Sequence, residues 1–196
     1  MKIRNYKGAQ MAFGHVYTVY LGLGSSLGNR LQHIQDAVNY LAGCRDADFI
    51  TVEAMSAVYE SPHMGLNAED ESEFPAHLNA AICVSTNLEP HRLLQAIHEV
   101  ERAGGRERLV HWGPRTIDID ILLVDGLTIQ TAELTVPHPG LQNRAFVVLP
   151  LADIAPEIHL ANGETVRSAA ARIMRERPTI VRTTAEIHNP CGVGRV

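Results

Sequence analysis

Thr116–Val124 reads TIDIDILLV and is the clearest strand in the chain. Successive side chains on a strand point to opposite faces, so Ile117, Ile119 and Ile121 share one face and turn into a core. Asp118 and Asp120 then stand side by side on the other face. Two adjacent carboxylates repel unless a cation joins them. Their hard oxygens suit Mg²⁺, which takes a few carboxylates and fills its shell with phosphate oxygens and water. The competing reading is a solvated strand face carrying two ordinary aspartates.

The rest of the chain supplies elements around this strand. Val16–Leu23 is β-rich and apolar and predicts a buried strand running into the turn GSSLGN. Leu31, Ile34, Val38 and Leu41 recur at helical spacing up to Gly43. Phe49–Tyr59 predicts a second strand and Leu78–Thr86 a third. After NLEP, Leu93, Leu94, Ile97 and Val100 share one helix face that ends near Gly104 and Gly105. DGLTIQ predicts a turn into a short strand, consistent with a hairpin. VPHPGLQNR predicts a loop, Arg144–Leu151 a short helix and Ser168–Arg175 a last one. Ser61–Pro75 is polar, with two prolines and an acidic stretch, and predicts a mobile loop of the kind that often serves as a lid. No repeat or composition break divides the sequence, so a single domain over residues 1–196 is expected, with 1–15 an N-terminal extension and 178–196 a C-terminal tail. The order β-α-β-β-α-β predicts an α+β ferredoxin-like sandwich, in which helices cover one face of a mainly antiparallel sheet and a further layer can be added.

Net charge is −5, which argues against a general nucleic-acid surface. The three cysteines, Cys44, Cys83 and Cys191, are far apart and form no C-x-x-C pair, which favours a reducing compartment over a disulfide framework or zinc site. No apolar run reaches membrane-spanning length and the first fifteen residues lack the apolar segment of a secretory signal, so a cytoplasmic protein is expected.

Arg106, Arg108 and Arg115 flank Trp112 within ten residues. Guanidinium groups are permanently charged and bind phosphate in a forked geometry, and an indole offers a stacking surface. A solvated basic loop is the ordinary alternative. Position favours the first reading, because Arg115 arrives three residues before Asp118. Carboxylates for a metal, arginines and phosphate together make the parts of phosphoryl transfer. GLGSSLGN is neither G-x-x-x-x-G-K-[ST] nor G-x-G-x-x-G, so ATP would be held without a P-loop. Among ten dispersed histidines, His138 stands out between two prolines, whose rigid turn fixes its direction, and a turn histidine bonded to the backbone is the equal alternative.

HWGPRTIDIDILL closely resembles the signature of the 6-hydroxymethyl-7,8-dihydropterin pyrophosphokinases of folate biosynthesis. YLGLGSSLGN, YESPHMG, HLNAAI, VERAGGRER and LTVPHPGLQNRAFVVLPLADIAPE are similar to further blocks of that family, in its order. The resemblance spans roughly Tyr20 to Glu157. It implies ATP-dependent pyrophosphoryl transfer to the pterin, with AMP as the other product. Asp118 and Asp120 would hold two Mg²⁺ ions. Arg106 and Arg115 would bind phosphate and stabilise charge, with Arg108 on the catalytic loop. His98, Glu101, Ile121, Thr135, His138 and Arg144 match positions that bind or surround ATP. The pterin would stack between Phe146 and the ring at His77, meet Ser61, Pro62, Met64, Gly65 and Asn79 along its edge, and be closed in by Trp112. The implied partners are these two small molecules, with no nucleic acid and no membrane, and a monomer is expected.

The chain departs from the family pattern at four places. His77 stands where tyrosine or phenylalanine is common. Ser26 replaces an asparagine in the GSNLG turn, a change expected to bear on turn stability more than on chemistry. Leu109 replaces a frequent basic residue, and the acidic stretch Leu66–Glu73 is longer than in compact members. Non-catalytic binding modules share the ferredoxin-like scaffold, as do other Mg²⁺-dependent transferases. A binding module has no use for carboxylates beside arginines, and RNA-binding sheets of this shape need strings of exposed aromatics that are missing here.

Overall fold

In the computed structural model, residues 15–42, 48–62, 75–105, 115–176 and 179–190 are described. The main sheet is built on β1 (Tyr17–Ser25), whose odd-numbered residues Tyr17, Val19, Leu21 and Leu23 are all buried. It pairs antiparallel with β4 (His77–Thr86) on one side and with β5 (Asp118–Val124) on the other. Beyond β4 lie β2 (Ile50–Met55) and β3 (Tyr59–Ser61), each antiparallel to a different stretch of β4, and β3 is followed by β8 (Val181–Arg182). The sheet order is thus β5-β1-β4-β3-β8, with β2 alongside β3 on the same strand.

Two helices follow the strands that the sequence pattern assigned to them. In α1 (Arg30–Leu41), Asn29 caps the first turn by accepting from the Gln32 N–H at 3.3 Å, and Ile34, Ala37, Val38 and Leu41 are buried. In α2 (Pro90–Ala103), Pro90 occupies the first turn, where its missing N–H costs nothing, and Leu93, Ile97 and Val100 face the sheet. A Cβ at Gly104 would lie 2.7 Å from Ile117 Cγ2, so glycine lets the end of α2 press against the approach to β5. These helices and the odd-numbered face of β1 close the first core.

Helices cover the other face as well, and they supply the further layer that the sandwich allows. α3 (Ala145–Ile154) is apolar nearly all round because it lies between the sheet and α4 (Val166–Glu176), and together they close a second core around Leu122, Val148 and Leu151. With helices on both sides, β4 is buried almost from end to end. The ferredoxin-like core therefore carries a third layer, and the class is α+β.

Three local expectations change. The run 49–59 is two strands rather than one. Ser56 breaks it by accepting from Ala81 N–H at 2.8 Å and donating to the Ala57 carbonyl at 2.6 Å. The short strand after Gly126 does not form a hairpin with β5; β6 (Ile129–Gln130) pairs with β7 (Thr135–Val136) in a separate small ribbon. The C-terminal segment, which shows no pattern in sequence, runs as a strap: β8 pairs with β3, the Thr183 N–H reaches the Val58 carbonyl at 2.8 Å, and Ile187 is buried in the first core. The strap ends where the His188 N–H meets Gln35 Oε1 at 2.7 Å and Asn189 Nδ2 meets the Val52 carbonyl at 2.9 Å.

Candidate active site

The even-numbered face of β1 carries Gly22 and Gly24 where its neighbours carry chemistry. Gly24 pairs with Asn79 on one side and Asp118 on the other, and Gly22 pairs with Ala81 and Asp120. Residues directly opposite on neighbouring strands share a face, and strands lie about 4.8 Å apart, so the Asn79 amide and the carboxylates stand roughly 10 Å apart across a floor without side chains. Above this floor lies a cavity of about 510 Å³. Arg115, Asp118, Asp120, His138 and Arg144 line it at one end, and Ser61, Pro62, His77, Asn79 and Phe146 at the other.

At the charged end, Arg115 Nη1 donates to Asp118 Oδ1 at 2.8 Å. Asp120 Oδ2 lies 3.9 Å from Arg144 Nη1 and 4.0 Å from His138 Nε2. His138 Nδ1 accepts from the Gly140 N–H at 3.0 Å, so the neutral ring keeps its proton on Nε2, toward Asp120. Burial pushes the His138 pKa down, Asp120 opposes this, and Arg144 adds to the lowering. The Arg144 guanidinium also lies 6.0 Å from the centre of the Phe146 ring, linking the two ends.

Arg115 is held by the turn after β1. Ser26 N–H and Leu27 N–H both reach the Arg115 carbonyl, at 2.9 and 3.2 Å, and the Arg115 N–H returns to Ser26 Oγ at 3.0 Å. Ser25 Oγ donates to the Thr116 carbonyl at 2.5 Å. Ser26 therefore does more than shape its own turn, because its bonds fix the Arg115 backbone beside the cavity. At the other end, Asn79 is 5% exposed and its Nδ2 donates to Ser61 Oγ at 3.0 Å and to the His77 carbonyl at 3.3 Å. Its Oδ1 is left facing the floor, 3.6 Å from where a Cβ on Gly24 would stand.

Two carboxylates on one strand face, open to a cavity, fit a hard divalent cation. Among the described residues no group of three or more His, Cys, Asp or Glu gathers as a closed cage. A cation here would complete its shell with phosphate oxygens and water, as Mg²⁺ prefers.

Several expected residues lie off the cavity. Glu101 is 2% exposed and its Oε1 accepts from the Ile119 N–H at 2.9 Å, fixing the start of β5 from below. Ile121 is in the first core, Thr135 lies in the small ribbon, and His98 is exposed on α2. Arg106, Arg108, Leu109, Trp112, Met64, Gly65 and the stretch 66–73 lie outside the described residues. Gly22, Gly24, Ser25 and Ala80 line the cavity without having been singled out in sequence. The signal available for the glycines is their spacing of two within a strand, which strips one face of side chains.

A family model described as 7,8-dihydro-6-hydroxymethylpterin-pyrophosphokinase matches residues 20–156. Relatives bearing the name 2-amino-4-hydroxy-6-hydroxymethyldihydropteridine pyrophosphokinase include one from Methylorubrum extorquens, 42% identical over 79% of this chain and 92% of its own length. Another, from Aquifex aeolicus, is 43% identical over 72% of this chain and 82% of the relative. Among solved structures, the Plasmodium falciparum HPPK-DHPS shares the fold with a TM-score of 0.63 at 14% identity, covering 86% of this chain and 49% of that one, so this chain matches about half of that longer protein. On the match over residues 20–156 and these identities, the chain belongs to the 7,8-dihydro-6-hydroxymethylpterin-pyrophosphokinase family.

Proposed function

We propose that this chain transfers a pyrophosphoryl group from ATP to 6-hydroxymethyl-7,8-dihydropterin, giving the pterin diphosphate and AMP, a step in tetrahydrofolate biosynthesis. The observation that carries the reading is the row Asn79–Gly24–Asp118, which puts an amide and a carboxylate at opposite ends of a bare floor. A flat ring lying on it would have its edge at Asn79 and its hydroxymethyl group directed toward the carboxylates.

In this reading His77 and Phe146 stack on the pterin, and Asn79 Oδ1 accepts from a ring N–H, its orientation held by Ser61. Pro62, Met64 and Gly65 complete the edge, and Trp112 closes over the hydroxymethyl end. The hydroxymethyl oxygen bonds to the β-phosphorus of ATP, the bond from that phosphorus to the α–β bridging oxygen breaks, and the hydroxyl proton is lost to solvent. Two Mg²⁺ ions held by Asp118 and Asp120 would neutralise charge on the triphosphate. Arg106, Arg108, Arg115 and Arg144 bind phosphate oxygens, and His138 presents its Nε2–H to the same end. His98, Glu101, Ile121 and Thr135, which lie off the cavity, match family positions around the nucleotide, with Glu101 acting through the β5 backbone that it holds. Catalysis is then positioning plus cationic stabilisation. The chain is read as a single domain that acts as a monomer. The described residues include no helix long and apolar enough to cross a membrane, and we place the enzyme in the cytoplasm.

AMP release from ATP and Mg²⁺, measured with and without the pterin, tests this directly. AMP formed only with the pterin is the expected result. ADP in its place, or no pterin-dependent product, overturns the assignment.

A further inference from the structure

The strand that presents Ser61 to the pterin slot is short. β3 has three residues, pairs with β4 through Tyr59–Asn79, Glu60–Leu78 and Ser61–His77, and on its outer side meets two residues of β8. A ladder this brief is a weak specification of position. Yet the Ser61–Asn79 hydrogen bond depends on it, since Ser61 ends the strand and reaches diagonally across the ladder to Asn79, which stands opposite Tyr59.

Arg30 ties that end together. It is the first residue of α1 and approaches from the reverse face of the sheet, where alternation places Glu60, since Ser61 faces the cavity and Tyr59 the second core beside it. Its Nη1 lies 2.8 Å from Glu60 Oε1 and donates to the Ala76 carbonyl at 2.7 Å. Glu60 immediately precedes Ser61, and Ala76 immediately precedes His77. One guanidinium thus holds both strands one residue from the ring-stacking and amide-orienting side chains. Arg30 does not itself line the cavity.

We propose that Arg30 is a positioning residue for pterin recognition, acting through Glu60 and the Ala76 carbonyl to hold Ser61 and His77 in register around Asn79. The inference rests on the functional reading above. The carboxylates, Arg115 and Arg144 sit on other elements at the far end of the floor, so loss of the clamp falls on one substrate and spares the other. Side-chain exposures of 29% and 42% for the pair keep the effect modest, because solvent screens it.

The test is calorimetric binding of the pterin to the full chain in the presence of Mg²⁺ and a non-hydrolysable ATP analogue, with analogue binding measured separately. Arg30→Ala is expected to weaken pterin binding about fivefold, roughly 1 kcal/mol, with analogue affinity within about twofold of the parent. Arg30→Lys recovers part of the loss, and Glu60→Gln in the Arg30→Ala background adds nothing further. Unchanged pterin affinity in Arg30→Ala, or equal losses for both ligands, overturns the inference. If Arg30→Ala does not fold, Glu60→Gln alone carries the test, with about a twofold loss confined to the pterin expected and no change refuting it. A parent protein that binds the analogue but no pterin instead overturns the functional reading, and the inference with it.

Discussion

Gly24→Val should raise stability and lower activity together. The backbone at Gly24 is not in the left-handed region and a Cβ there meets nothing closer than Asn79 Oδ1 at 3.6 Å, so a side chain is accepted without strain. Glycine inside a strand costs about 0.5–1 kcal/mol in backbone entropy, and a β-branched residue suits the pleat. The expected gain is therefore on the order of 0.5–1 kcal/mol, or about 1–4 °C in Tm for a chain of this size. The same side chain would stand between Asn79 and Asp118, on the surface where the pterin is to lie. Filling an occupied site with the three carbons of valine costs about 1–3 kcal/mol, which is roughly 5- to 150-fold in pterin affinity. Thermal melting and pterin-dependent AMP release read the two effects separately, and Gly24→Ala should fall between parent and valine in both. A valine variant that melts lower than the parent, or turns over like it, would refute the argument that this face is bare for the substrate's sake.

Other perturbations probe separate parts of the site. Asp120→Ala should cut turnover by about 10³-fold or more with little change in melting temperature, since relief from the like charge of Asp118 offsets the loss of the loose pairing with Arg144 at 3.9 Å; retained activity would remove the metal assignment. His77→Tyr enlarges the stacking face and should keep or tighten pterin binding, so a large loss in a titration would show that the imidazole has another task. In alkali the fold should weaken. Tyr20 and Tyr59 are raised from 10 to about 12 chiefly by burial, Tyr17 to about 12 chiefly by its hydrogen bond to Glu89, and Cys83 from 9 to about 12 by burial. A raised acid pKa means that the folded state holds protons the unfolded state has lost, so stability is full below pH 9 and declines as pH climbs from 9 toward 12. Urea midpoints at pH 8 and pH 11 check this, and equal values would contradict it.

Legibility followed periodicity. β1, β4, β5, α1 and α2 were readable because each shows an apolar repeat of two or between three and four residues against a core. Ser56 was not, since its effect depends on a hydroxyl meeting Ala81 from another strand. The second helical layer was faint because α3 is apolar all round and shows no polar side to set its phase. In the site, paired aspartates and nearby arginines announce themselves by charge. Glu101 is charged but its charge does not reveal its task, and Gly24 carries no mark at all. One is a carboxylate spent on a backbone N–H, the other a residue whose contribution is the room it leaves.

The strap that closes the sheet edge has a consequence for how the chain is made. Ile187 seals a core whose other walls are set down between Tyr17 and Val136. A nascent chain can assemble sheet and helices as they leave the ribosome, but this core stays unsealed until the stretch that pairs with β3 and bonds to Gln35 has followed. Until then an apolar seam lies open beside α1 and β2. A stalled or shortened product would carry a complete pair of carboxylates on a body still exposed to chaperones and proteases.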